Sequence, residues 1–433
     1  AVPAGAKGLG EVALGPSQAL ELRGPQGTLW RGEEREARFP KPGTEGSFRR
    51  LHLLPRLASE AEVAAILRVA QTSLEFNVDD DSVDHCPTYE RYVVQVGQYI
   101  HEELERILRP IVEERLLPYV RKKYDAPEAI VCTALVRRYL PDERRAHPTH
   151  LDGHSFCTAV LGLNAGEFEG GLYVQPRPGA RERELVPLGR GDLAVHQYDL
   201  PHGVRVFEGR RYSLIFWIKD SMQAVLDGSS PWHTRLAQQG DPDALFALAE
   251  DTEQGWDGRQ RDPVLAAELY ARSAAAGHPF AQNNLGVLYA AAEKEGGPVA
   301  ERLLASEDVG GQSLLQRACG WFRAGAEAGM ATAQKNLALA LADGRGLERD
   351  EAEAVVWMRR AAEQMHLEAA LMLAEWHRQG RGVAADAAEA ARWYERSAGQ
   401  GLLEAQKALG LLHLRGGFLE RNVSKAQFWL RKA

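Results

Sequence analysis

His150 and Asp152 stand two residues apart, and His202 follows fifty residues after Asp152. On a β-strand, positions i and i+2 point to the same face, whereas on a helix they do not face each other. One strand can therefore present an imidazole and a carboxylate to a single ion, with Leu151 turned away. The fifty intervening residues leave room for several strands to bring His202 back to the same point. Two histidines and one carboxylate suit a non-haem ferrous ion and leave some of its coordination positions open.

Arg211 lies nine residues beyond His202, in the apolar run Arg-Tyr-Ser-Leu-Ile-Phe-Trp-Ile. Alternation puts Arg211, Ser213, Ile215 and Trp217 on one face and Arg210, Tyr212, Leu214 and Phe216 on the other. An inward guanidinium on such a strand is costly unless paired. Its planar fork matches a carboxylate, with the Ser213 hydroxyl beside it. The natural partner is an anionic cosubstrate, and Arg210 is expected to point away.

Residues 50–220 resemble the Fe(II)/2-oxoglutarate dioxygenases of the prolyl 4-hydroxylase type, and the likeness extends to lysyl hydroxylases. It is carried by His150-Leu151-Asp152, Phe168-Glu169-Gly170-Gly171, Gly191-Asp192-Leu193, His202-Gly203-Val204 and Gly209-Arg210-Arg211-Tyr212-Ser213-Leu214. The resemblance implies that His150, Asp152 and His202 bind Fe(II) and that Arg211 binds the distal carboxylate of 2-oxoglutarate. It implies conversion of 2-oxoglutarate and O₂ to succinate and CO₂ as a C–H bond is hydroxylated, with ascorbate keeping the iron ferrous. Tyr139 is expected either in the cosubstrate pocket or packed in the core. His196 resembles a lysyl hydroxylase position and is expected to support the site or the fold; His147 and His154 are expected on the surface. Collagen-type prolyl hydroxylases carry lysine where Arg211 stands, so the hydroxylated side chain is left open. The leading expectation is a protein or peptide hydroxylase; the alternative is a scaffold, or an iron or oxygen sensor, with a slow or inactive oxygenase domain.

The elements that must position these residues read as follows. Residues 1–48, rich in Gly, Pro and charge, suggest a poorly ordered lead-in. Leu51–Pro55 reads as a strand, and Ser59 with Glu62 forms a capping box opening a helix to about Gln71. Residues 77–87 read as a solvated acidic loop. Tyr92 to Lys123 reads as helical, broken near Pro110 or Pro118. Strand candidates follow at 129–140, 156–163, 171–175, 184–187, 192–196 and 211–218, a spacing that suggests a double-stranded β-helix, or jelly roll, over 49–220. Residues 221–241, with Gly-Ser-Ser-Pro and Gly-Asp-Pro, suggest a linker.

From residue 242 the chain repeats. Trp321, Trp357, Trp393 and Trp429 are 36 apart, as are Gly344, Gly380 and Gly416. Ala-x-x-x-Leu recurs at Ala244, Ala281, Ala333, Ala369 and Ala405, with an insertion between 291 and 311 that suits a loop. Five helix-turn-helix units, the last incomplete, predict a solenoid. Gly380-Arg-Gly-Val and Ala388-Glu-Ala-Ala-Arg-Trp-Tyr-Glu-Arg-Ser-Ala resemble Sel1-like repeats, relatives of the tetratricopeptide repeat, and imply protein partners. Met365 departs from the pattern, standing where Gly277, Gly329 and Gly401 end helices.

The 52 basic and 60 acidic residues give a net charge of −8, which disfavours wholesale nucleic-acid binding. No apolar run approaches a membrane span. Four cysteines without CxxC spacing argue against a structural zinc or a disulfide framework. They fit a reducing compartment such as the cytoplasm, but Ala1 suggests a processed or truncated start, which leaves the secretory pathway open.

Overall fold

The computed structural model describes residues 9–41, 47–80, 86–176, 183–256, 258–305, 311–417 and 419–433. Its N-terminal region is built on two sheets. The larger runs, in strand order, Gln18–Arg23, Leu29–Pro40, Phe48–Leu54, Leu193–Gln197, Cys157–Gly162, Arg211–Lys219, Ile130–Tyr139, Pro87–Gln95 and Asn77–Asp80. The smaller runs Gly10–Glu11, Glu184–Leu185, Phe168–Val174, His202–Gly209 and Ala146–His150. Between them lies an apolar layer drawn from both, including Leu51, Val160, Ala194 and Ile215 of the larger and Leu172, Val174, Val204 and Val206 of the smaller. The opposite face of the larger sheet, with Leu214, Phe216 and Ile218, packs on the helices Glu60–Thr72 and Glu102–Lys123. The Ser59–Glu62 capping box forms as expected.

Several expectations are corrected. Residues 18–40 are not an irregular lead-in but two strands added to the edge of the larger sheet, where Leu22, Ala37 and Phe39 are buried. The helix expected from Tyr92 begins at Glu102; Pro87–Gln95 is a strand, because its aromatic and β-branched residues pair with Ile130–Tyr139. The helix carries Pro110 and slips into π geometry over Val112–Leu116, as a missing donor favours. Of the acidic loop, Asn77–Asp80 is a strand and residues 81–85 lie outside the described residues. The expected linker folds into helices Met222–Asp227 and Pro231–Gln238, because Trp232, 1% exposed, inserts into the core beneath the larger sheet.

Beyond it the helices pair as the repeat requires: Pro242–Gln254 with Pro263–Ala275, Pro279–Glu295 with Leu314–Glu327, Ala331–Asp343 with Glu351–Glu363, Leu367–Gln379 with Ala387–Gly399, and Leu403–Arg415 with Val423–Lys432. Trp357 and Trp393 are buried in one continuous core, against which Trp321 and Trp429 pack partly exposed. The insertion is not all loop, since it holds the helix Gly297–Ala305. Among the described residues, no helix is long and apolar enough to cross a membrane.

Sheet and solenoid are joined by buried charge. Lys41 reaches Asp199 and Asp241 at 2.7 Å and Asp243 at 3.3 Å; Arg49, from the larger sheet, pairs with Asp243, which also meets His278 Nε2 at 3.1 Å. Burial opposes ionisation of Asp243, but Arg49, His278 and Lys41 hold its carboxyl well below the usual carboxylate range. A depressed carboxylate contributes stability above its unfolded value of ~3.9 and loses it as the pH falls. We predict that Asp243→Asn lowers the unfolding free energy near neutral pH by about 3–5 kcal/mol, the cost of breaking a buried pair. Wild-type stability should also fall more steeply than the variant's below about pH 4. Denaturant titrations at several pH values check both; equal stability of the two proteins at neutral pH would count against this clamp.

Candidate metal and cosubstrate site

His150 ends its strand and His202 opens the neighbouring one, and the two are direct antiparallel partners. Such partners have Cβ atoms roughly 4.5–5.5 Å apart, so the register alone brings both imidazoles to one place. Asp152 lies just beyond the end of the strand, not on it as the spacing suggested. Hydrogen bonds from another sheet hold it instead: Oδ2 accepts from Thr158 Oγ1 at 2.6 Å and from Trp217 Nε1 at 3.3 Å. Its two oxygens stand 3.5 Å from His150 Nε2 and His202 Nε2. One donor atom from each of the three residues lies within 4.8 Å of the others.

The hydrogen bonds of the two imidazoles suit a cation. His150 Nδ1 and His202 Nδ1 each lie 2.9 Å from a carbonyl, of Pro148 and Leu200 respectively, so each donates its Nδ1–H and presents the Nε2 lone pair to the site. Burial, and then the adjacent His196, hold His202 well below the usual imidazole range. Burial opposes the charge on Asp152, yet His202 and His150 keep its carboxyl well below the carboxylate range. Two imidazole nitrogens and a carboxylate, buried and converging, fit a divalent ion with open positions.

Arg211 lies between the two sheets, 2% exposed and opposite Tyr139 in register. Its guanidinium sits 5.5 Å from the Tyr139 ring and 5.9 Å from that of Phe168, with no hydrogen bond or ion pair to a described residue. Burial pushes it down to about 10. The Ser213 and Tyr139 hydroxyl oxygens are also buried without a hydrogen-bond partner among the described residues. A buried cation flanked by two unsatisfied hydroxyls on paired strands is a fit for a small carboxylate. Arg210 is exposed, outside the strand. Asn164, fully buried, fixes this parity: its Nδ2 donates to the Arg210 carbonyl and its Oδ1 accepts from Tyr212 N, both at 2.8 Å.

His196 packs beside His202, ring centroids 4.3 Å apart, and donates Nδ1–H to the Gln197 carbonyl. His154 is exposed, 4.6 Å from the Trp217 ring. His147 is not on the surface: it is 3% exposed and lies against the His150 ring at 4.2 Å. Sequence reasoning passed over Thr158, Trp217 and Asn164. Trp217 shares the parity of Arg211 and could have been flagged; Thr158 is recognisable only once it pairs with Trp217 and His196. Gly203 is required by close approach, since a Cβ there would lie 2.4 Å from the Tyr173 hydroxyl. Gly191-Asp192 is a structural turn: Gly191 has φ +78°, and Asp192 accepts from the Gly189 and Arg56 amides.

The Sel1 repeat model matches residues 242–278, 331–366, 367–402 and 403–433, so the C-terminal part carries Sel1 repeats. Residues 279–330, where the extra helix interrupts the period, fall outside these matches. No curated protein matches the chain. Among solved structures the chain is similar to c5321, a protective antigen of uropathogenic Escherichia coli strains displaying an SLR fold. The identity is 27% over 49% of this chain and 41% of that one, with a TM-score of 0.41. The chain thus spans about two fifths of that protein's length. It is also similar to an oxidoreductase of the 2OG-Fe(II) oxygenase family from Burkholderia pseudomallei (20% identity, 39% of this chain, 85% of that chain, TM-score 0.33). A third is a Pseudomonas putida prolyl-4-hydroxylase (19% identity, 39% and 91%, TM-score 0.31).

We predict that anaerobic Fe(II) titration finds one ion per chain, and none after His150→Ala, Asp152→Ala or His202→Ala. Trp217→Phe should weaken the ion by about 10–100-fold, the usual consequence of losing a hydrogen bond to a ligand. Full-strength binding by any of the three ligand variants counts against the assignment.

Proposed function

We propose that the sheet-rich region is a double-stranded β-helix dioxygenase of the prolyl 4-hydroxylase type, dependent on Fe(II) and 2-oxoglutarate. Its substrate is a protein or peptide side chain, and the Sel1 repeats are its protein-interaction module. One observation carries this reading. The convergent His150, Asp152 and His202 share the space between the sheets with a buried guanidinium, Arg211, that has no described partner. Bound Fe(II), with 2-oxoglutarate and O₂, supplies the oxidising chemistry that turns a C–H into a C–OH and releases succinate and CO₂. Ascorbate belongs to the proposal as the reductant that keeps the iron ferrous.

The chain's own residues do the positioning. His150 and His202 offer fixed Nε2 lone pairs, and Thr158 and Trp217 orient the Asp152 carboxylate. Arg211 offers its fork to the distal carboxylate of 2-oxoglutarate, and the Ser213 and Tyr139 hydroxyls donate to the same anion. Burial between the sheets keeps water from these groups and strengthens each interaction. The complete ligand set favours turnover over a silent scaffold.

The test is untargeted: incubate the protein with Fe(II), 2-oxoglutarate, ascorbate and a peptide library, then follow succinate and the addition of one oxygen by mass spectrometry. Absence of succinate from an iron-loaded protein across the library overturns the reading. We predict that Arg211→Ala weakens 2-oxoglutarate by roughly 10–100-fold, the loss of a charge-assisted hydrogen bond of about 1.5–3 kcal/mol. Arg211→Lys should lose less, Arg210→Ala should behave as wild type, and Fe(II) binding should survive in all three. Loss of cosubstrate affinity in Arg210→Ala but not in Arg211→Ala would reverse the face assigned to this strand.

A further inference from the structure

His202 is reached through a short turn. The strand Leu193–Gln197 ends, residues 198–201 reverse the chain, and His202 opens the next strand. Every residue of that turn is buried. Leu200, 0% exposed, belongs to the apolar layer between the sheets, and its carbonyl accepts the His202 Nδ1–H at 2.9 Å. This carbonyl fixes both the tautomer and the direction of the ring. Leu200 also precedes Pro201, which restricts its backbone. The carbonyl therefore has few ways to turn independently of the residue before it.

That residue is Asp199, which lies outside the ligand set. Its Oδ2 meets Lys41 Nζ at 2.7 Å, and its Oδ1 is buried without a hydrogen-bond partner among the described residues. Lys41 is thus the one ion-pair partner of Asp199 among the described residues. The same ammonium stands 2.7 Å from Asp241 Oδ2. Asp241 Oδ1 in turn accepts the Ala244 amide at 2.9 Å, as the N-cap of Pro242–Gln254, the first helix of the repeats. An unbroken series of contacts runs from that N-cap through Lys41 and Asp199 to the carbonyl that orients His202. Its members come from three distant parts of the chain, since Lys41 directly follows the strand Leu29–Pro40. The Lys41 and Asp199 side chains are 9% and 5% exposed, so salt screens the pair weakly. Removing either partner leaves the other charge buried. Apolar residues would often fill such a space as well; an ion pair adds a fixed direction for the turn it holds.

We propose that Asp199 and Lys41 are positioning residues for His202, and that through them the seating of the first repeat sets the affinity of the metal site. The proposal rests on the oxygenase reading only in taking His202 as a metal ligand. Neither residue touches the ion. Asp199 holds the turn, the turn holds the Leu200 carbonyl, and the carbonyl aims the Nε2 lone pair. Lys41 ties this turn to the cap of the first repeat helix. Coupling of this kind is reciprocal, so an ion on His202 steadies the first turn of Pro242–Gln254.

The test uses the full chain and Fe(II) alone, under anaerobic conditions, with two readouts: Fe(II) affinity and amide hydrogen exchange. Asp199→Asn and Lys41→Met should weaken Fe(II) by about tenfold, the lower end of what losing a ligand's support costs. Lys41→Arg should recover part of the loss. Leu409→Ala, which opens a cavity in the buried core of the fifth repeat, should lower stability and leave the affinity as in wild type. In wild type, Fe(II) should slow exchange in the first turn of Pro242–Gln254, and in Asp199→Asn it should not. Wild type that binds Fe(II) with no change of exchange there overturns the proposal, and this is read even where a variant fails to fold. So does wild-type affinity in folded Asp199→Asn, or an equal loss in Leu409→Ala, which would trace the effect to stability alone. Wild type that binds no Fe(II) overturns the metal assignment and this proposal together, which separates the two failures.

Discussion

The pairing of His202–Gly209 with Ala146–His150 is the constraint on which the site depends. Because His202 stands opposite His150, two imidazoles from distant parts of the chain meet without any loop having to hold them. A slip of one residue would send one ring to the other face of the sheet. The surroundings protect this register. Gly203 leaves room for the Tyr173 hydroxyl, which reaches the His147 carbonyl and Thr149, tying three neighbouring strands together just outside the ligands.

Buried charge separates what is structural from what awaits a ligand. Lys41, Arg49, Asp199, Asp241 and Asp243 form ion pairs with one another, with Arg49 Nε and Nη1 left without a hydrogen-bond partner among the described residues, and together they make the joint between sheet and solenoid. Asp152 is anchored by two donors and stands 3.5 Å from the Nε2 atoms of His150 and His202, and Arg211 faces aromatic rings and unsatisfied hydroxyls. Charges buried without counterions oppose folding. A cation beside Asp152 and an anion beside Arg211 would offset this cost.

The solenoid is not a separate appendage. Leu236, just before the first repeat, packs against both the helix-covered core and the repeat core, and Leu151 joins the repeat core from between His150 and Asp152. Packing of Leu151 and Leu236 fixes the repeats against the strand Ala146–His150 and the helix-covered core.

The sequence by itself determined what periodicity encodes. The 36-residue spacing of Trp321, Trp357, Trp393 and Trp429 defined the repeats, because each unit meets only its neighbours and its pattern is local. The alternation from Arg211 to Trp217 defined which side chains share a face, because a strand permits only two. Tertiary structure decided the rest. Residues 18–40 become strands only because the edge formed by Phe48–Leu54 is there to pair with them, and residues 87–95 only because Ile130–Tyr139 lies alongside. Trp232 turns an apparent linker into helix by packing on Phe156 in the core beneath the larger sheet, and His147 is buried with the His150 ring against it. Asp152 owes its position to Thr158 and Trp217 rather than to its own strand. For residues 87–95, and for Asp152 through Trp217, the decisive partner is remote in sequence, and a local pattern carries no record of which distant surface will cover it.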